Sequence, residues 1–181
     1  MSQPVVRPAQ DELRLARLRG DLVEMTNIRG PLIDWRASGD APATYQVRYY
    51  LTSFVAPDRS RASHRVSFVL PETYPLAAPY VRMLDLPVYH PNIFLDGRIC
   101  LGNTWNPEEG LAFLVIRVAR MLLYYPDVTN ARSPANLDAA AWYLRQAARF
   151  PLGGKIAFPD PLTRHAGESR PLTITRKWKP A

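Results

Sequence analysis

The chain has 181 residues, of which 47% are hydrophobic and 22% charged, so its composition is that of a folded protein rather than a disordered one. Its length fits one domain of about 150 residues with an appendage. No apolar run approaches the roughly 18 residues that cross a bilayer, and the N-terminal sequence MSQPVVRPAQDELRLARLRG is too polar for a signal peptide. We therefore expect a cytoplasmic protein that does not act at a membrane.

The net charge of +7 is concentrated at one end of the chain. Residues 151–181 hold six Lys or Arg against two Asp or Glu, which gives +4 and leaves +3 for residues 1–150. The longer part lacks a basic stripe interleaved with aromatic residues, so we expect no nucleic acid partner. Of the 23 basic residues 20 are Arg, a bias that codon usage alone can explain.

Cys100 is the only cysteine of the chain. A single thiol excludes an internal disulfide and any metal site built from several cysteines, and we expect no cofactor. Taken alone, Cys100 is either a small packing residue or a nucleophile.

The first predicted element is an amphipathic helix from about Ala9 to Met25 with a basic outer side. Its apolar positions recur at three- and four-residue steps, with arginines between them: Leu15, Leu18, Leu22 and Met25 alternate with Arg14, Arg17 and Arg19.

A block of strands follows this helix. Thr44–Val55 and His64–Leu70 are rich in β-branched and aromatic residues, and the polar turn APDRSRAS joins them as a hairpin. Ile28–Trp35 and Tyr80–Leu84 are further strands. Because the strands are grouped and do not alternate with helices, they predict a four-stranded antiparallel meander.

The segment 86–107 is predicted to be irregular because proline and glycine recur along it. Long irregular stretches in compact domains are often functional. Two helices come next. The first runs from about Glu109 to Tyr124, and the second opens with Ser133 as N-cap and Pro134 at the first helical position and ends near Phe150.

The fold class is therefore α+β: an N-terminal helix, the antiparallel meander, the irregular segment and two C-terminal helices. Residues 1–150 form the predicted domain. Residues 151–181 are rich in Pro and Gly and form a C-terminal extension.

The chain carries an ordered set of motifs in and around the irregular segment. They are Tyr74-Pro75, Pro79, His90-Pro91-Asn92, Gly97-Arg98-Ile99-Cys100-Leu101 and Trp105-Asn106-Pro107, followed by Pro126, Ser133-Pro134-Ala135-Asn136, Ala139-Ala140 and Tyr143. In this order and spacing, over about residues 9–149, the chain closely resembles the ubiquitin-conjugating enzyme family, whose fold is called the UBC fold. Asn92 precedes Cys100 by eight residues, as in the family.

The resemblance implies that Cys100 carries a ubiquitin-like protein as a thioester and passes it to an amine. Thioester exchange needs little driving force, and cysteine is intrinsically nucleophilic enough for it. Asn92 either stabilises the oxyanion formed during transfer or braces its own loop. His90, Pro91 and Trp105 are expected to hold the active-site structure.

Two residues of the loop before the third helix complete the catalytic set that the resemblance implies. Ser133 lies where the family helps to orient or desolvate the attacking amine, and Asp127 is the nearest carboxylate. Each has an ordinary alternative, since Ser133 is also a good N-cap and Asp127 a typical solvated loop charge.

The resemblance also implies partners: a ubiquitin-like modifier, an activating enzyme, a target protein and in some cases a ligase. Arg14 and Arg17 would contact the activating enzyme, and Leu76 and Pro107 occupy the loop positions that meet ligases. The alternatives are a solvated basic helix face and simple packing of Leu76. Glu108 stands where the family often has a small residue.

The surroundings of Cys100 depart from the family pattern. Four residues separate Cys100 from Trp105, about three fewer than usual, and the segment from Pro126 to Ser133 is about three residues longer. These changes favour a remodelled cleft in a diverged member, of the kind expected in a bacterial operon with its own activating enzyme and modifier, such as one for antiphage defence.

Three hypotheses follow from the sequence. The first is an active conjugating enzyme, and the second a non-catalytic binding module of the same fold, against which the retained Cys100 argues. The third is nucleic-acid binding through the basic residues 151–181, which would be sensitive to salt.

Overall fold

The computed structural model describes residues 7–102 and 105–163, which form three α-helices and six β-strands. In chain order these are α1 (Arg7–Asn27), β1 (Ile33–Arg36), β2 (Thr44–Tyr49), β3 (Ser53–Ala56), β4 (Arg59–Arg61), β5 (His64–Val69), β6 (Tyr80–Met83), α2 (Leu111–Leu122) and α3 (Leu137–Arg145). Within these residues, none of the helices has the length and apolar character needed to span a bilayer.

The main sheet is an antiparallel meander in the order β1-β2-β5-β6, which confirms the predicted fold class. Its centre is set by the pairs Val47↔Trp35 and Val47↔Val66. Buried residues alternate with less buried ones along β2 and β5, so one face of the sheet packs on the core and the other faces outward.

The predicted strand Thr44–Val55 is wrong in its length, because it divides into β2 and β3. The last rung of the main sheet here is the bond from Tyr50 N–H to the Leu32 carbonyl. The chain then turns away, and β3 pairs with β4 in a separate two-stranded ribbon. Burial of Phe54 against Trp142, with ring centroids 4.8 Å apart, accounts for the break.

Helix α1 confirms the predicted N-terminal helix and packs through Leu18 and Met25, which are almost fully buried. Its buried Asp21 accepts hydrogen bonds from the Tyr74 hydroxyl at 2.7 Å and from the Leu111 backbone N–H at 3.0 Å. Because Leu111 is the first residue of α2, this carboxylate joins α1 to the start of the central helix.

Helix α2 crosses the core face of the sheet, in agreement with the predicted Glu109–Tyr124. Eight of its twelve residues are buried: Leu111, Ala112, Leu114, Val115, Val118, Ala119, Met121 and Leu122. Buried Tyr49 on β2 donates a 2.9 Å hydrogen bond to the Val115 carbonyl and so ties the sheet to the helix.

The predicted start of the third helix is wrong. The N-cap of α3 is Asn136, whose side chain accepts from the Ala139 N–H at 3.0 Å, and Ser133 is an exposed residue of the preceding loop. The α-helix also ends at Arg145, and only a 3-10 turn, Ala147–Arg149, continues toward Phe150. Both Ser and Asn are favoured N-caps, so residue preference alone does not separate them.

The described part of the predicted extension packs against the rest of the protein. Leu152, Ile156 and Phe158 contact the main core, and Leu152 N–H donates to the Leu123 carbonyl at the end of α2. Asn27 at the end of α1 donates to the Pro161 carbonyl at 2.6 Å. The remainder of the extension, with Lys177 and Lys179, lies outside the described residues.

Candidate active site

A short antiparallel turn along the edge of β6 positions Cys100. Met83 N–H donates to the Gly97 carbonyl and Ile99 N–H to the Val81 carbonyl, so residues 97–99 follow the edge strand. Gly97 has φ 89°, and a Cβ at this residue would lie 3.0 Å from the Met83 carbonyl oxygen. Glycine is therefore required both by the turn and by its close approach to the strand.

Cys100 and Asn92 face each other on this turn. Cys100 N–H donates to the Asn92 carbonyl at 2.8 Å, and the Asn92 side-chain Nδ2 lies 3.5 Å from the Cys100 carbonyl oxygen. Cys100 is partly exposed, whereas Asn92 is only 4% exposed. The cysteine is thus partly exposed to solvent and has a buried amide donor beside its own backbone.

His90 fixes the backbone of Asn92 from below. Its Nδ1 accepts the Asn92 N–H at 3.0 Å, and its ring is fully buried. Burial lowers the pKa of His90 to about 3. The imidazole is therefore neutral near pH 7 and acts as a hydrogen-bond acceptor, which fits its expected structural role.

The loop between α2 and α3 closes over Asn92. We call residues 126–133 the gate. Asn92 Oδ1 accepts the Asn130 N–H at 2.9 Å, and the Asn130 side chain in turn accepts from the N–H groups of Arg132 and Ser133. Asn130 is a functional candidate that sequence reasoning missed, although an Asn that bonds the backbone two residues ahead is a common turn signal.

Pro91 attaches the segment that joins the gate to α3. Its carbonyl accepts the N–H of Ala135 at 2.7 Å and of Asn136 at 3.1 Å. The three consecutive residues His90, Pro91 and Asn92 thus join different parts of the site. His90 packs in the core, Pro91 binds the start of α3, and Asn92 contacts Cys100.

A cavity of about 360 Å³ lies between the gate and the turn that follows Cys100. Its lining includes Asn92, Leu101, Gly102, Arg117, Asp127 and Asn130. Asp127 is exposed and pairs with Arg120 at 2.7 Å. Ser133 lies on the same loop but is not part of this lining.

Arg117 on α2 is a second residue that the sequence reasoning missed. It donates to the Leu101 carbonyl at 3.0 Å and pairs with Glu109 at 2.8 Å. Because Leu101 directly follows the cysteine, Arg117 braces the shortened turn after Cys100. No local signal marked it, since the contact joins residues 16 positions apart.

Trp105 joins two surface loops. Its Nε1 donates to the Pro75 carbonyl at 2.6 Å, and its ring lies 6.4 Å from that of Tyr74. This bond links the loop of Leu76, which is 75% exposed, to the loop of Pro107, which is half-buried. Leu76 is therefore a solvent-facing side chain and not a packing residue.

The two arginines expected on the outer side of α1 make contacts within the protein. Arg14 donates to the Pro71 carbonyl at 3.3 Å. Arg17 has a side-chain exposure of 24%, pairs with Asp21 at 3.2 Å and donates to the Glu109 carbonyl at 2.6 Å. Arg17 is thus directed toward α2 rather than into solvent.

Residues 60–152, which include Cys100, Asn92 and the gate, match the family model described as ubiquitin-conjugating enzyme. The chain belongs to the ubiquitin-conjugating enzyme family. This match spans half of the chain and places the candidate site within the part that defines the family.

Individual members of the ubiquitin-conjugating enzyme family are similar to the chain over part of its length. Ubiquitin-conjugating enzyme E2 N of Macaca fascicularis is 30% identical over 113 residues, which covers 59% of this chain and 71% of the relative. NEDD8-conjugating enzyme UBC12 of Kluyveromyces lactis is 33% identical over 82 residues, covering 44% and 42%. Ubiquitin-conjugating enzyme E2-34 kDa of Saccharomyces cerevisiae is 28% identical over 95 residues, covering 44% and 30%.

This ubiquitin-conjugating family member thus spans less than half the length of two of these relatives. Among solved structures, S. cerevisiae Ubc12 superposes with a TM-score of 0.55 at 22% identity, covering 73% of this chain and 71% of the other. This likeness agrees with the α+β architecture.

Proposed function

We propose that the protein accepts a ubiquitin-like modifier from an activating enzyme as a thioester on Cys100 and transfers it to an amine of a target protein. The observation that carries the proposal is the buried Asn92 amide, whose Nδ2 lies 3.5 Å from the backbone carbonyl oxygen of the partly exposed Cys100, in a chain of this family.

In the loading step, the Cys100 thiolate attacks the carbonyl carbon of the thioester that joins the modifier to the activating enzyme. A new C–S bond forms to Cys100, the old C–S bond breaks, and the activating enzyme leaves as a thiolate. The two thioesters have nearly equal energy, so the step needs a nucleophile and access but no strong general base. The partly exposed Cys100 meets this requirement.

In the transfer step, an uncharged amine attacks the thioester carbonyl, a C–N bond forms, and the Cys100 thiolate leaves. The amine proton passes to solvent. Negative charge collects on the carbonyl oxygen in the intermediate, and a positioned amide donor such as Asn92 Nδ2 stabilises it. Because Asn92 Oδ1 is held by Asn130, the amide is fixed with its donor on the side of Cys100.

The cavity lined by Asn92 and Leu101, the residue that follows Cys100, is the proposed approach for the amine. Asp127 contributes a carboxylate to its lining, and such a group attracts the ammonium form of a lysine before it loses its proton. We assign the hydroxyl of Ser133, at the end of the gate, only a minor role in orienting the amine. No cofactor takes part in either step.

The proposed partner contacts lie on helix α1 and on the loops of Leu76 and Pro107. The activating enzyme would contact α1 beside Arg14, with Arg17 supporting that helix from within through Asp21. A ligase would contact the surface formed by Leu76 and Pro107, since Trp105 holds their two loops together. A bacterial, cytoplasmic pathway with its own modifier is the setting that the remodelled cleft favours.

The proposal is tested by loading the purified chain with its modifier, activating enzyme and ATP. We expect an adduct that reducing agent removes and that Cys100→Ala abolishes. Cys100→Ser is the matched variant, since an oxyester on serine resists reductant but is cleaved by hydroxide. If an activating enzyme and modifier verified on each other leave the wild-type chain without an adduct, the proposed function is wrong.

A further inference from the structure

We propose that Tyr124 is a positioning residue for the transfer step, and that it acts by holding His90 and thereby the Asn92 amide beside Cys100. The inference rests on the proposed function and adds to it a residue outside the family motifs.

The backbone of Tyr124 is in a conformation that its side chain disfavours. It has φ 60°, and it is the one non-glycine residue with positive φ in ranges 7–102 and 105–163. Bulky residues rarely adopt the left-handed region, and such conformations persist only where the surroundings impose them, often at functional sites. A glycine would adopt this positive φ without strain. The presence of a tyrosine instead indicates that its side chain contributes contacts that a glycine would lack.

That side chain is fully buried beneath the active-site segment. Its hydroxyl donates a hydrogen bond to the Tyr89 carbonyl, and its ring centroid lies 4.5 Å from that of His90. Tyr89 N–H is itself bonded to the Phe54 carbonyl at 2.9 Å. Tyr124 and β3 thus hold Tyr89, the residue before His90, through its carbonyl and its N–H respectively.

The contacts continue from His90 to the reacting atoms. His90 Nδ1 accepts the Asn92 N–H, and Asn92 Nδ2 lies against the Cys100 carbonyl. A displaced Tyr89 carbonyl would shift the imidazole, and a shifted imidazole would lose its bond to the Asn92 backbone. Tyr124 therefore reaches Asn92 through a single intermediate side chain.

Tyr124 also determines where the gate begins. It follows the last residues of α2, and its left-handed turn directs the chain into residues 126–133. Phe150 also stacks on the ring of Tyr124, with ring centroids 4.6 Å apart, so the ring packs against both His90 and Phe150. Tyr124 thus contacts both segments that meet at Asn92. Its side chain packs against the loop of His90, and its backbone turn leads into the gate.

The sharpest variant is Tyr124→Phe, which keeps the ring and removes the hydroxyl, with its bond to the Tyr89 carbonyl and its interactions with Ser53 and Phe54 of β3. Tyr49→Phe is the matched control, because Tyr49 is equally buried and donates to the Val115 carbonyl of α2, away from the candidate site. Rates of loading and of single-turnover transfer to free lysine are measured for both.

We expect Tyr124→Phe to slow transfer by about five- to tenfold, the effect of one buried hydrogen bond, while loading stays within twofold of wild type. Tyr49→Phe should leave both rates within twofold. Equal slowing of both steps in Tyr124→Phe, or equal slowing in both variants, would mean a general structural role and would overturn the inference.

A double-mutant cycle with Asn92→Ala tests whether Tyr124 acts through Asn92. If it does, Tyr124→Phe has no further effect on transfer once the amide is absent. Additive effects would overturn the inference while leaving thioester chemistry intact. A wild-type chain that forms no thioester would instead refute the proposed function, so the two failures are distinguishable.

Discussion

Asn92 and Asn130, 38 residues apart in the chain, are joined by a 2.9 Å hydrogen bond from the backbone N–H of Asn130 to the side-chain oxygen of Asn92. This bond supports the bracing interpretation of Asn92, because it connects the residue to the gate. It equally supports the oxyanion interpretation, because an amide whose oxygen is held has its nitrogen fixed in direction. The two roles use different atoms of one side chain.

Substitution of Asn92 by Asp separates these two roles. A carboxylate still accepts the Asn130 N–H but cannot donate to an oxyanion. We expect Asn92→Asp to slow transfer about 100-fold, as removal of an oxyanion donor does elsewhere, while thioester formation continues. Single-turnover discharge of the loaded protein measures this rate. Transfer by Asn92→Asp at the wild-type rate, with loss only in Asn92→Ala, would leave bracing as the sole role.

The start of α3 gives a prediction about stability. Asn136→Ala removes the N-cap bond to Ala139 and should lower the free energy of unfolding by about 1 kcal/mol. Ser133→Ala, at the position where the sequence pattern placed the cap, should change it by less than about 0.5 kcal/mol because its exposed side chain caps nothing. Urea unfolding of the two variants measures the difference. A larger loss in Ser133→Ala than in Asn136→Ala would contradict the structure.

Two buried histidines make stability depend on pH. Burial lowers the pKa of His90 to about 3 and that of His64 to about 4, both below the ordinary 6.5. Between these values and 6.5 the unfolded chain binds protons that the folded chain does not, so stability falls as the pH falls through this window. From pH 7 to pH 5 the loss should be roughly 2 kcal/mol for each histidine.

Urea unfolding at pH 7, 6 and 5 tests this dependence. His64→Gln, far from the candidate site in the chain, should remove about half of the difference between pH 7 and pH 5. Burial raises the pKa of Glu24, so this residue makes the protein more stable as the pH falls, opposite to the histidines. The test therefore compares the pH dependence of wild type with that of His64→Gln and does not use the wild-type slope alone. An unchanged slope in His64→Gln would refute the buried, neutral state of His64.

The packed part of the extension predicts a further stability effect. Phe158 contacts the main core and is partly buried, so Phe158→Ala should lower the free energy of unfolding by about 2 kcal/mol. Leu162→Ala is the matched control, because Leu162 is 68% exposed and should cost less than about 0.5 kcal/mol. If both variants unfold at the wild-type urea concentration, residues 151–163 do not contribute to the folded domain.

Features that depend on neighbours in the chain were predicted from the sequence. The 3.6-residue period predicted α1 and α2, and the grouping of β-prone segments predicted the antiparallel meander. The resemblance to the family, which includes the eight-residue spacing of Asn92 and Cys100, predicted that these residues act together, and they lie together across a short turn. Such signals are local, because a helix period or a turn is determined within about ten residues.

The exact ends of the helices and strands, and the contacts between residues far apart in the chain, could not be predicted from these local signals. Thr44–Val55 looked like one strand, yet burial of Phe54 against α3 divides it. Ser133 and Asn136 are both acceptable N-caps, and the two bonds to the Pro91 carbonyl fix which of them caps α3.

The sequence by itself therefore determined the fold class, through its periods and the grouping of its strands, and its resemblance to the family predicted Cys100 as the nucleophile and Asn92 as its neighbouring amide. Tertiary structure alone decided that Arg17 faces α2, that Asn130 holds Asn92 and that Tyr124 lies under His90. Those contacts join residues tens of positions apart, and their energy depends on packing geometry that emerges only when the whole core is formed. The position of the amide beside Cys100 is thus a property of the folded chain, although both residues are visible in a ten-residue motif.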